Sequence, residues 1–243
     1  MFQSHDIGII GFGAFGRLIA THLGPHFGLC AYDPAPSAPM PGVAPVDLAT
    51  AAACPIVILA MPVGAMEETV RAIGPHLRHG ALVVDVGSVK MLPAEIMRRG
   101  LPDHADIVAT HPLFGPQSAR DGIRGLKIAI CPVRGRRAPR LAAFLRKVLG
   151  LDVIMTTPEA HDREAAMVQG LTHLIAKVLV RMEPLPSRMT TRSFELIHQA
   201  VGMVRGDAPE VFRAIEMSNP HSAGVRRRFF DLASALDAEL TEG

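Results

Sequence analysis

The sequence predicts an α/β fold, a doubly wound and mainly parallel sheet covered on both faces, followed by an all-helical part. Three observations carry this reading. Short apolar runs alternate with segments of helical periodicity through the first 156 residues. The first of those runs flows into a glycine-rich turn that opens a helix. Beyond about residue 156 the short apolar runs stop, and only helix-length segments remain.

The strand candidates are IGII (7–10), LCAY (29–32), IVILAM (56–61), ALVVDV (81–86), DIVAT (106–110) and KIAIC (127–131). Each is an almost unbroken apolar run, the pattern of strands buried on both faces. Helices fit between several of them, near 14–23, 64–74 and 137–149. In the second part, the stretch 158–182 is one long helix candidate with Pro158 near its start, where a missing N–H costs nothing. Further helices fit 191–205, 208–217 and 221–240. These signals divide the chain into 1–156, a dinucleotide-binding domain on the argument below, and 157–243, a helical substrate and dimerisation domain. The helical part is too small to bury much surface alone, and its first helix is apolar nearly all round from Ala165 to Val180. A homodimer made through these helices accounts for both features.

Composition narrows the function classes. With 243 residues, 49% hydrophobic and 20% charged, the chain is globular and large enough for one big or two unequal domains. A net charge of +2 argues against nucleic acid and acidic membranes as partners. The basic clusters at 133–140 and 225–230 lack interleaved stacking aromatics and read as solvated faces. Cys30, Cys54 and Cys131 sit unevenly in apolar surroundings, as reduced core thiols of a cytoplasmic protein do. The start at Met1 has no basic leader, and no apolar run approaches the roughly 18 residues of a membrane span, so a soluble, unexported protein is expected. The one biased tract is the Pro-rich loop 33–42.

The turn IGIIGFGAFGRLIATHL carries chemistry. Gly11 permits the tight turn, Gly13 lets the backbone approach a pyrophosphate, and Gly16 allows close packing of helix on strand. The backbone around Phe12, Ala14 and Phe15, together with the positive end of the helix dipole, then faces the phosphates. Asp33 ends the second strand about twenty residues on, where an acid accepts hydrogen bonds from a ribose diol. Its carboxylate would repel a 2′-phosphate, and the residues that follow it offer no arginine, so NAD is expected rather than NADP. Met61 and Pro62, at the end of the third run, are further cofactor-facing candidates. The fold expected is therefore of the Rossmann type.

Open parallel sheets bind ligands beyond the carboxyl ends of their strands. Ser88 and Lys90 of DVGSVK and His111 of ATHPLFGP all lie at such ends. An imidazole suits the removal of a proton from a hydroxyl whose carbon loses hydride, and Ser88 can orient the imidazole or the hydroxyl. His173 lies among apolar neighbours, but Gln169, Gly170 and Thr172 make a small, polar stripe beside it.

The motifs GFGAFG, DVGSVK, THPLFGP, EAHDREAA and QGLTH, in this order, resemble the prephenate/arogenate dehydrogenases of tyrosine biosynthesis, and the short plant-type members more than the long bacterial ones. The resemblance runs from about residue 6 to 240. It implies oxidative decarboxylation of a cyclohexadienyl substrate, with His111 as the base, Ser88 bound to the hydroxyl and the base, and His173 at the substrate side chain. Lys90, Gln117 and Gln169 are the other substrate-binding candidates. Long bacterial members hold the ring carboxylate with an arginine, where this chain has Met203, with Arg205 two residues on; plant-type members lack that arginine too. Those bacterial members also carry an acid where this chain has Gln117. A substrate amino group would favour a nearby carboxylate, for which Asp121 and Glu195 are candidates. Two other readings stand beside this one: a two-domain hydroxyacid or imine oxidoreductase, and a dinucleotide-binding regulator without turnover.

Overall fold

The computed structural model describes residues 5–35 and 38–242. Residues 1–4, where the leader was sought, and Pro36 and Ser37 of the Pro-rich loop lie outside them. The chain forms two compact units, Met1–Glu159 and Ala160–Gly243.

The first unit is built on one eight-stranded sheet: β1 (Ile7–Ile10), β2 (Leu29–Tyr32), β3 (Val43–Pro45), β4 (Ile56–Leu59), β5 (Leu82–Asp85), β6 (Asp106–Pro112), β7 (Lys127–Arg134) and β8 (Asp152–Met155). Their order across the sheet is β3-β2-β1-β4-β5-β6-β7-β8. All neighbours run parallel except β6 and β7, which pair antiparallel. All six strands expected from sequence are present. The expected run 56–61 ends at Leu59, because Ala60 and Met61 turn against Gly11.

Helices α1 (Ala14–Leu23), α2 (Leu48–Ala52), α3 (Met66–Ile73), α4 (Met91–Gly100) and α5 (Ala138–Lys147) cover the two faces. One apolar cluster joins Val57, Leu59, Val83, Ile107 and Ala109 of the strands to Met66, Val70 and Ile73 of α3 and Ala94 and Met97 of α4. On the opposite face, Leu82, Val84, Val108 and Ile130 pack with Ala138, Ala142 and Leu145 of α5. This second face also holds an apolar cavity of about 380 Å³, bordered by Leu18, Ile58, Val84, Leu141 and Phe144. Alternation along β5 and β6 fixes which side chains go where. Asp85 and His111 fall on the α3/α4 side, and Thr110 and Pro112 on the α1/α5 side.

From residue 158 on, helices are the only regular elements among the described residues: α6 (Pro158–Ala165), which begins two residues before the second unit, α7 (Leu171–Arg181), α8 (Arg192–Arg205), α9 (Pro209–Arg213) and α10 (Ser222–Glu242). The long helix expected over 158–182 is interrupted by a π-helical turn at Ala166–Gly170, and a second π-helical turn spans Ala214–Ser218. The two turns pack together, and Gly170 keeps the approach close. A Cβ there would sit 3.5 Å from the Glu216 carboxylate and 3.8 Å from the Ser222 hydroxyl. No described helix is long and apolar enough to cross a membrane.

Candidate active site

The glycine turn has the geometry its sequence calls for. Gly11 adopts φ +93°, and a Cβ on it would lie 2.6 Å from the Ala60 carbonyl, so only glycine fits between β1 and the end of β4. Gly16 allows α1 to settle on the turn, since a Cβ there would be 2.2 Å from the Gly11 carbonyl oxygen. Gly13 is different: it is exposed, with no atom of the described residues within 4 Å of its Cβ position, and it caps α1 without a side-chain hydrogen bond. The N-terminus of a ten-residue helix thus has no capping side chain, which leaves its first N–H groups available to a phosphate.

Asp33 follows β2 directly. Its Oδ2 accepts the Phe12 N–H at 2.6 Å and its Oδ1 accepts the Ala35 N–H at 2.9 Å, which fixes the carboxylate beside the turn. Each carboxylate oxygen has a second acceptor site, so these bonds leave capacity for ribose hydroxyls. Met61 is half-buried, and Pro62 is exposed beside it. The neighbourhood does contain an arginine, though it is not one that follows Asp33. Arg17 of α1 stacks over the Phe12 ring, with its guanidinium carbon 4.8 Å from the centroid, and donates to the Ala38 carbonyl. Chain neighbours alone could not reveal it.

Ser88 and His111 lie at the carboxyl ends of β5 and β6, which are adjacent and in register as Asp85↔Ala109. Ser88 is half-buried in the turn after β5, and His111 is buried on the last part of β6, opposite Ala129 of β7. Lys90 corrects the expectation from sequence. Its side chain is 0% exposed, forms an ion pair with Asp85 and donates to the Thr110 carbonyl at 2.5 Å, so its ammonium is committed inside the protein rather than offered to a substrate. A buried ammonium has to be neutralised and hydrogen-bonded, and Asp85 with Thr110 does both. Burial raises the Asp85 carboxyl above the ordinary range, while Lys90 and the N–H groups of Gly87 and Thr110 pull it back. Gln117 lies exposed in the loop after β6.

In the second unit, His173 is buried on α7. Its Nδ1 lies 3.0 Å from the Gln169 carbonyl, in the π-helical turn where regular i→i+4 pairing is broken, and its Nε2 lies 3.0 Å from Asp207 Oδ2. Asp207 keeps 28% of its side chain exposed, so a carboxylate fronts the buried imidazole. Gln169 Oε1 has no partner although it is buried. The carboxylates proposed from sequence are engaged elsewhere: Asp121 with Arg120 at the surface, and Glu195 with Thr190 and Arg192. Asp207 was not found by sequence reasoning, since it lies in a loop with no periodicity linking it to α7. Arg205 is paired with Glu183, and Met203 is half exposed.

A doubly wound sheet, a glycine turn opening a helix and an acid closing β2 define a dinucleotide-binding protein of the Rossmann class. Residues 42–166, just over half of the chain, match the family model described as the prephenate dehydrogenase nucleotide-binding domain, and the chain belongs to that family. It is 30% identical to a probable arogenate/prephenate dehydrogenase of Methanocaldococcus jannaschii, over 72% of this chain and 41% of the relative. It is 27% identical to the chloroplastic arogenate dehydrogenase 1 of Arabidopsis thaliana, over 96% of this chain and 39% of the relative. The chain therefore spans about two fifths of the length of these two curated relatives. Among solved structures, prephenate dehydrogenase from Aquifex aeolicus, in complex with hydroxyphenyl propionate and NAD+, shares the fold with TM-score 0.76 at 21% identity, covering 96% of this chain and 90% of that one.

Proposed function

We propose that the chain is an NAD-dependent dehydrogenase that oxidatively decarboxylates a cyclohexadienyl substrate on the route to tyrosine, with arogenate preferred to prephenate. The observation that carries this is the placement of Ser88 and His111 at adjacent strand ends of the same unit that bears the glycine turn. Gly11 to Gly16 and Asp33 would hold the dinucleotide, whose nicotinamide supplies a hydride acceptor.

The residues divide the rest of the work. His111 takes the proton of the ring hydroxyl as its carbon is oxidised, which relieves the charge that would otherwise build on that oxygen. Ser88 hydrogen-bonds the same hydroxyl and keeps it aimed at the imidazole. The bond to the ring carboxylate then breaks, carbon dioxide leaves, and the electron pair left behind completes the aromatic ring.

Substrate choice rests on Asp207. The family resemblance assigns His173 to the substrate side chain, and within the second unit the partly exposed Asp207 carboxylate lies beside that imidazole. A carboxylate attracts the side-chain ammonium of arogenate and repays nothing to the ketone of prephenate. The reading also takes the second unit as a dimerisation surface. Met167, Val168, Val178, Leu232, Leu236 and Leu240 are all at least 40% exposed, more apolar side-chain surface than a small helical unit exposes singly. Cytoplasmic work suits the three buried cysteines, which form no disulfide among the described residues.

The test is NADH formation with arogenate and with prephenate, carbon dioxide being measured in parallel. Equal yields of NADH and carbon dioxide, with the higher kcat/KM for arogenate, are expected. NADH from a hydroxyacid without carbon dioxide would favour the hydroxyacid or imine oxidoreductase, and dinucleotide binding with no single turnover would favour the silent regulator.

A further inference from the structure

Asp85 touches the backbone next to both of the residues that the proposed reaction needs. Its Oδ2 accepts the Gly87 N–H at 2.9 Å, one residue before Ser88. Its Oδ1 accepts the Thr110 N–H at 3.3 Å, one residue before His111. The same Oδ2 pairs with Lys90, whose Nζ crosses to the Thr110 carbonyl at 2.5 Å, and the Thr110 hydroxyl donates to the Asp85 carbonyl at 2.6 Å. All three polar groups of Thr110 are thus bound to these two residues. The β5–β6 ladder ends at Asp85↔Ala109, and beyond it the side chains of Asp85 and Lys90 take over the pairing for one more residue.

We propose that Asp85 and Lys90 form a positioning clamp that sets Ser88 and His111 relative to one another, through the residue that precedes each. Fold stability alone does not call for such a pair. Both side chains are 0% exposed, and replacing a buried ion pair by apolar residues of similar volume is often neutral or stabilising. The carboxyl of Asp85 is raised by burial, so the stability it contributes is greatest in acid and is lost as pH rises through its folded value. What the pair supplies instead is direction. A carboxylate with two fixed N–H partners and an ammonium bridging to the next strand holds the two strand ends at one separation, whereas apolar contacts leave them free to slide.

The clamp rests on the reading of His111 as the base, and its test separates the two. The double variant Asp85→Asn/Lys90→Met removes both charges together, so that neither is left buried alone. Wild type and variant, as full chains, are compared in melting temperature, NAD affinity, kcat, KM, the pH profile of kcat, and the imidazole 1H–13C signal of His111, assigned with His111→Asn. The expected result is a fall in kcat of about 10- to 100-fold, the scale of losing a partner that orients a reacting group. NAD affinity should stay within about twofold, since the glycine turn lies elsewhere. The acidic limb of the pH profile should persist, because His111 remains the base, and its imidazole signal should broaden or split. A folded variant with wild-type kcat overturns the clamp, as does a lower kcat with a single sharp His111 signal. A selective rise in KM for the cyclohexadienyl substrate overturns it in favour of Lys90 as a substrate ligand. If the double variant does not fold, Lys90→Met alone decides: it removes the ammonium that bridges Asp85 to the Thr110 carbonyl, and the Asp85 carboxyl can take up a proton while still accepting the Gly87 and Thr110 N–H groups. A lower kcat with a broadened His111 signal supports the clamp, and wild-type values for both overturn it. If the wild type oxidises neither arogenate nor prephenate, the functional reading fails on its own, and the His111 signal still decides the clamp.

Discussion

Replacing Asp207 by asparagine tests substrate choice with the smallest change in shape. The carboxamide keeps an oxygen that can accept the His173 Nε2–H now bonded to Oδ2 at 3.0 Å, so the imidazole need not move. What is lost is the negative charge. A hydrogen bond to a charged group contributes about 1.5–3 kcal/mol in a protected setting. Asp207 has 28% of its side chain exposed, and solvent screening brings the figure to about 1–2 kcal/mol. At about 1.4 kcal/mol per factor of ten, the ratio of kcat/KM for arogenate over prephenate should fall about 5- to 30-fold. The assay is initial-rate NADH formation with each substrate at saturating NAD. The effect should lie mainly in KM, because the side chain of the substrate is remote from the bonds that change. The melting temperature should shift little. If the ratio stays within twofold of wild type while the variant remains folded, the carboxylate does not read the substrate side chain, and the preference for arogenate has no basis in this pair.

His111→Asn should lower turnover by about 10²–10⁴-fold with NAD affinity almost unchanged, and the rising acidic limb of the pH profile should disappear; near wild-type turnover with that limb intact would return His111 to a merely structural strand end. Asp33→Ser should raise kcat/KM with NADP relative to NAD by at least about tenfold, since it deletes the repulsion of a 2′-phosphate while Arg17 stays beside the turn; equal efficiencies with the two cofactors in the wild type would refute NAD preference. Analytical ultracentrifugation at micromolar concentration should give a dimer, and a monomer with full activity would show that the exposed apolar side chains of α7 and α10 serve something else.

The sheet was legible because strands buried on both faces have to be almost wholly apolar, and six of its eight strands are. The two missed strands explain themselves. β3 is three residues long and includes Pro45, and β8 carries Asp152 at an edge where one side needs no partner. The antiparallel β6–β7 pair was equally hidden, since an apolar run has no written direction and the loop between these two strands is long enough for either arrangement. α4 was overlooked because MLPAEIMRRG carries a proline in its first turn, where a helix tolerates it but a reader sees a break. The π-helical turns leave no signature in the periodicity, yet one of them supplies the carbonyl that holds His173.

The site divides along the same line. Positions fixed by neighbours in sequence could be read directly: three glycines within one turn, an acid at the end of the next strand, a serine and a histidine at strand ends. Residues whose chemistry depends on a partner distant in sequence could not. Lys90 looked like a substrate ligand because its motif shows a cation at a strand end, while the carboxylate that neutralises it, Asp85, looked like the polar end of a strand. Asp207 lies 34 positions from His173, and no helical or strand period joins them. Both cases concern a carboxylate whose meaning lies in what it faces. At Asp85 burial and full pairing turn the charge inward, where it orders two strand ends. Asp207 is bonded to His173 and keeps part of its carboxylate in solvent, which is why we propose that it selects a cation. The two residues carry the same functional group, and it is the difference between 0% and 28% exposure that leads us to propose a positioning role for one and a recognising role for the other.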